Sequence, residues 1–265
     1  MKKPPFVITL FVASFLMIGC GNNPIEPTPP TAFEQADLVR GGAMYDKWWT
    51  VADVSEPDGD HPLWSQRPDQ TSNSRSGGDT FRCKECHGWD YKGLDGVYGA
   101  GSHRTGFPGI LGTAKAPQEI FNLLKNDHEY GSLGLDDAAL WDLTKFVLEG
   151  LIDTALIIDQ EGKFISDGDG GKLIYDQSCT SCHGADGLTK PSDAIPGQPG
   201  AHPDYDEFPQ VIANENPWEF QHKTRFGQPG TDMPLLAEDG ITNEELASLG
   251  AFVQSLDMPE EDAQE

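Results

Sequence analysis

Apolar residues recur at helical spacing in two matching stretches of the chain. One runs from Asp136 to Leu143 and continues through Phe146 and Val147. The other runs from Thr242 to Leu249 and continues through Phe252 and Val253. Each opens on a residue able to cap a helix, so both predict a late helix. Ala116-Pro117 and Asn216-Pro217 predict two further short helices, with proline at the first helical position. Upstream, Gly41-Gly42-Ala43-Met44-Tyr45-Asp46 is echoed by Gly170-Gly171-Lys172-Leu173-Ile174-Tyr175-Asp176. Each half therefore reads as an early helix, a Gly/Pro-rich loop, a short helix, a second loop and a final helix. The expected class is mainly α, loop-rich and built as a diverged tandem repeat.

The N-terminus has a different pattern. Lys2 and Lys3 precede an apolar run from Phe6 to Ile18. That run is short for a membrane span and fits the hydrophobic region of a signal peptide, expected over residues 1–19. Met17-Ile18-Gly19-Cys20 resembles a bacterial lipoprotein cleavage box, which implies lipidation of Cys20 and a proline-rich tether over residues 20–33. Gly21 after the lipidated cysteine resembles the outer-membrane sorting pattern. An uncleaved anchor or an ordinary signal peptide is the alternative.

Composition narrows the function. Among 265 residues, 18 Lys and Arg stand against 43 Asp and Glu, a net charge of −25. A chain this acidic repels phosphate backbones, which excludes nucleic acid as a partner. Mean hydropathy is −0.46, against a polytopic membrane protein.

With Cys20 set aside, four of the five cysteines remain, in two identical patterns: Cys83-Lys84-Glu85-Cys86-His87 and Cys179-Thr180-Ser181-Cys182-His183. C-x-x-C-H is the haem c attachment motif. Two thiols one helical turn apart reach two vinyl groups on one haem edge, and the adjacent imidazole turns to the iron. The rivals are a four-cysteine zinc site, a thioredoxin-like pair or disulfides. Zinc has no need of a histidine directly after each pair.

With these motifs in place, each half resembles a class I cytochrome c domain. The resemblance implies a first domain over residues 34–155 with an insertion near 47–80, a linker over 156–170, a second domain over 171–257 and an acidic tail over 258–265. It implies two covalent haem c groups, held by Cys83 and Cys86 and by Cys179 and Cys182, with His87 and His183 as proximal ligands. It also implies a proline carbonyl that accepts the proximal imidazole N–H, for which Pro108 and Pro209 are the candidates. The insertion carries Trp48, Trp49, His61 and Trp64, expected to fold over the haem or an interface between domains. The connection from Leu156 to Gly171 is rich in Asp and Gly and reads as a solvated linker. Trp89 is expected against the haem, and Trp141 and Trp218 in the core.

The sixth ligands differ between the halves. Gly230-Thr231-Asp232-Met233-Pro234-Leu235 resembles the class I methionine loop, which implies that Met233 ligates the second iron. No methionine lies between Cys86 and Met233, so the first haem needs another ligand. His128, just after the short helix, is the candidate, and an imidazole there would lower the potential relative to a thioether. His103, His61, Met44 and a vacant site are the alternatives. His202 and His222 have no motif around them and read as surface or core histidines.

The expected function is a di-haem c-type cytochrome that relays electrons between redox partners at the cell envelope. Its partners would be proteins with basic docking patches, and it would reach the membrane through a lipid anchor, facing periplasm or exterior. The alternatives are a di-haem oxidoreductase such as a peroxidase, and the cytochrome subunit of a larger complex.

Overall fold

The computed structural model describes residues 31–166, 168–190 and 207–259. The expected signal peptide and Cys20, and most of the expected tether and acidic tail, lie outside the described residues, as does His202. Thr31–Glu265 clusters as one unit.

Ten α-helices occur among the described residues: α1 (Ala32–Gln35), α2 (Leu38–Val51), α3 (Cys83–His87), α4 (Pro117–Asn122), α5 (Asp137–Lys145), α6 (Gly171–Ser178), α7 (Thr180–His183), α8 (Pro209–Glu215), α9 (Pro217–Phe226) and α10 (Asn243–Gln254). None of them is long and apolar enough to cross a membrane. The expected caps are in place. The Asp136 carboxylate accepts from the amide of Ala139, and Thr242 with Glu245 forms a reciprocal capping box.

The two early helices meet the two late helices in the same way. Gly41 of α2 lies against the backbone of α5, where a Cβ would run into the Asp142 carbonyl. Gly171 of α6 lies against α10, where a Cβ would run into the Ser248 carbonyl. Glycine is needed at both positions because the crossing brings backbone to backbone. Tyr45 then donates to the carbonyl of Gly88 at 2.6 Å, and Tyr175 to that of Gly184 at 2.9 Å. The sequence echo is thus also an echo of packing.

Three apolar clusters follow. Met44, Trp48 and Trp49 of α2 pack with Phe121, Leu140 and Leu143 in the first half. Tyr175, Phe220, Leu246 and Leu249 form the core of the second. Tyr45, Trp89, Tyr91 and Phe146 take in Phe226 from α9 and so join the halves. His222 of α9 is fully buried among them. It accepts from the Tyr91 hydroxyl at Nδ1 (2.8 Å) and lies 3.0 Å from the Gly42 carbonyl at Nε2. Trp89 therefore packs in this aromatic joint, its ring centre 4.9 Å from that of His222.

Two expectations change. Residues 156–170 are not a solvated linker: Ile158 bridges to Phe164, and Ile157, Ile158 and Phe164 are buried in the second core. The apolar residues interleaved with the charged ones fold the segment back. Helix α2 also continues to Val51, past the expected start of the insertion at Lys47, with non-helical backbone at Lys47 alone. Trp48 and Trp49 are core residues of that helix because their burial outweighs the local break in helical geometry.

Candidate haem-binding site

Cys83, Cys86 and His87 are held on α3, a single helical turn closed by Gly88 with φ 76°. The turn brings both thiols to one side and commits the imidazole to the next position. The same arrangement recurs at α7, closed by Gly184 with φ 74°. The chain leaves each motif identically. The His87 carbonyl accepts from the amide of Gly93 at 2.8 Å, and the His183 carbonyl from that of Thr189 at 3.0 Å.

All four cysteines are free and half-buried. Burial pushes the thiols of Cys83 and Cys179 up to about 11 and about 12, and that of Cys86 up to about 12. These three thiols are therefore neutral near pH 7. Among the described residues no group of three or more His, Cys, Asp or Glu side chains could hold a metal ion.

The first site is the more complete. His87 Nδ1 lies 2.8 Å from the Pro108 carbonyl, which leaves Nε2 free to face an iron. On the other side stands His128, its ring centre 6.4 Å from that of His87 and its plane inclined by 38°. Two imidazole nitrogens each about 2 Å from one shared metal put their ring centres roughly 6 Å apart. The 6.4 Å between His87 and His128 is of that order, so the two side chains would suit a metal held between them. His128 Nδ1 lies 3.4 Å from the Leu123 carbonyl, the residue that opens the π-helical turn Leu123–Asp127. Burial lowers the pKa of both histidines, that of His87 to about 4. Both are therefore neutral near pH 7, the form that binds iron.

The other candidates for that place lie as follows. Met44 is fully buried in the first core. His103 stacks on Tyr98 at 4.4 Å and lies 3.4 Å from Glu85, on the attachment-motif side. His61 approaches His128, with ring centres 6.1 Å apart.

At the second site, His183 Nδ1 is buried and has no hydrogen-bond partner among the described residues. Pro209 does not supply one. It opens α8 at the first helical position, where its carbonyl belongs to the helical ladder. The fixed φ that suits a turn near a haem equally suits a helix start, and here the helix takes it. Met233 lies half-buried in the loop between α9 and α10, its amide donating to the Thr231 hydroxyl at 3.3 Å.

Charge is concentrated where the halves meet. Asp46, 1% exposed, pairs with Arg82. Burial alone would raise its pKa, but Arg82, Lys223 and Lys84 hold it down at about 2. Lys223 pairs with Glu219 at 2.6 Å on α9.

Residues 169–257 match the family model described as Cytochrome c. Comparison with curated proteins and with solved structures found no match. The matched segment, which contains α6, α7, α8, α9 and α10, is similar to a cytochrome c domain. Such a domain holds haem c covalently and serves haem-based electron transfer.

Proposed function

We propose that the chain is a di-haem c-type cytochrome that relays electrons between redox partners at the cell envelope. The observation that carries the reading is the approach of the His87 and His128 rings, 6.4 Å centre to centre. It supports a haem in the half outside the matched segment. The repeated contacts of Tyr45 with Gly88 and of Tyr175 with Gly184 support two domains of one ancestry.

In this reading Cys83 and Cys86 hold one haem c, and Cys179 and Cys182 the other. His87 and His183 are the proximal ligands, His128 and Met233 the distal ones. Haem iron cycles between ferric and ferrous states and so carries one electron at a time. The protein's part is to exclude water, fix each imidazole and set the two potentials apart. A His/His site lies lower than a His/Met site, because the thioether favours ferrous iron. The shared aromatic core of Trp89, Tyr91 and Phe226 holds the two sites in one fixed relation.

Cys20 would anchor the chain by lipid to the outer membrane, after removal of residues 1–19. The net charge of −25 suits partners with basic docking patches, in encounters that weaken with salt.

The reading is tested by counting haems in protein made with its export signal and a haem-attachment system. Pyridine haemochrome and intact mass are expected to give two per chain, falling to one in Cys83→Ser/Cys86→Ser. One haem in the unaltered chain would overturn it.

A further inference from the structure

The irregular stretch that follows α2 delivers one histidine to the His128 side of the first site. His61 is 6% exposed and fixed from several directions. Its amide donates to the Thr80 hydroxyl at 2.8 Å, and that hydroxyl donates to the Gly77 carbonyl at 2.7 Å. Its Nδ1 accepts from the amide of Leu63 at 3.1 Å. An accepting Nδ1 on a neutral ring puts the proton on Nε2. That buried Nε2–H has no hydrogen-bond partner among the described residues.

The His61 ring also packs against three neighbouring rings, meeting Tyr130 and His128 edge to face. It lies 5.1 Å from Phe81, 5.7 Å from Tyr130 and 6.1 Å from His128, with planes inclined by 59°, 75° and 70°. The His128 ring also packs on Tyr130 at 5.7 Å, and its amide donates to the Leu123 carbonyl at 3.0 Å. Its own Nδ1 contact is long, at 3.4 Å, and the next residue, Glu129, adopts φ 59°, a strained conformation for a side-chain-bearing residue. His61 adds to these an edge-to-face contact from a distant segment of the chain.

We infer that His61 is a positioning residue: it holds His128 in its ligating place, and the loop that carries it serves this purpose. The inference rests on the reading of His128 as the distal ligand of the first haem. It gives the long stretch between α2 and Phe81 a task at that haem, with Thr80 as the link that fixes His61 in turn.

The test is carbon monoxide binding to the fully reduced di-haem protein, read with the EPR spectrum of the oxidised form. His61→Leu removes both the ring and the Nε2 donor. His61→Gln restores a donor near the place of Nε2. Leucine is expected to speed carbon monoxide binding at one haem about tenfold and to shift that haem's EPR signal, as the His128 plane loosens. Glutamine is expected to return the rate most of the way, and Thr80→Val to move it in the leucine direction by less. Haem content and circular dichroism select folded protein, and the second haem serves as the internal control. Unaltered protein that already binds carbon monoxide readily would overturn the His128 reading itself. Unaltered protein that stays closed, with a folded His61→Leu variant that stays closed as well, would overturn the role of His61 alone. Equal opening of both haems would also overturn it, since that marks general loosening.

Discussion

The imidazole rings of His87 and His128 stand 6.4 Å apart, centre to centre, with their planes at 38°. The two residues are brought together by different means. His87 follows from the attachment turn and its Pro108 contact, His128 from a π-helical turn that ends α4 and the strained residue after it. Their meeting places two imidazoles side by side, as the proposed ligation requires.

Changing the distal side should change the potential in a known direction. His128→Met would replace imidazole by thioether and raise the lower of the two potentials. The rise should be on the order of 0.1–0.2 V, within the roughly 0.8 V span that axial ligands set. His128→Ala would leave that iron open, and a carbon monoxide difference spectrum would show one haem bound.

The helix crossings should not tolerate a methyl group. Gly41→Ala and Gly171→Ala each place a Cβ against a backbone carbonyl that cannot move aside. Overpacking of this kind costs about 1–3 kcal/mol and outweighs the gain of roughly 1 kcal/mol in helix propensity. Denaturant unfolding of the two variants would show both losses.

The aromatic joint should depend on one hydroxyl. Tyr91→Phe leaves His222 Nδ1 buried without its donor, at a cost of about 1–3 kcal/mol. Denaturant unfolding followed separately at each haem should show both transitions moving to lower denaturant, because the joint belongs to both halves.

Acid should destabilise the protein in two windows. Burial lowers the His222 pKa to about 3, while in the unfolded chain it titrates near its ordinary 6.5. The unfolded state therefore takes up the proton first, and stability falls as pH drops from about 6.5 towards 3. Asp46, held at about 2 against an ordinary 3.8, stabilises the fold above about pH 4. That contribution, roughly 2 kcal/mol, is lost as pH falls through 2. Unfolding free energies measured against pH should show a shallower slope above pH 4 in His222→Phe. They should lack the lower step in Asp46→Asn.

Much of this was legible in the sequence because it is local. The attachment motifs fix their own turns within five residues, and caps such as Asp136 and Thr242 mark the late helices. His128 is proposed from its place after the short helix, in a half that lacks a methionine in the ligand loop, and the structure brings its ring near that of His87. Pro209 misled because a proline that opens a helix and one that turns a loop look alike in sequence. What escaped is non-local. Ile157 and Phe164 belong to the second core through a fold-back that charged neighbours disguised. His222 reaches Tyr91 across more than a hundred residues, and no periodicity announces such a contact. His61 stood in view as a rival ligand, but its relation to His128 depends on Thr80 and Leu63, whose roles appear only once the chain is folded.

The most direct measurement is an equilibrium redox titration of the intact protein, followed optically and repeated with His128→Met. Two one-electron transitions at separate potentials are expected, with the lower one alone moving upward in the variant. A single transition, or a lower transition that His128→Met leaves in place, would contradict a two-haem carrier with His128 on its first iron.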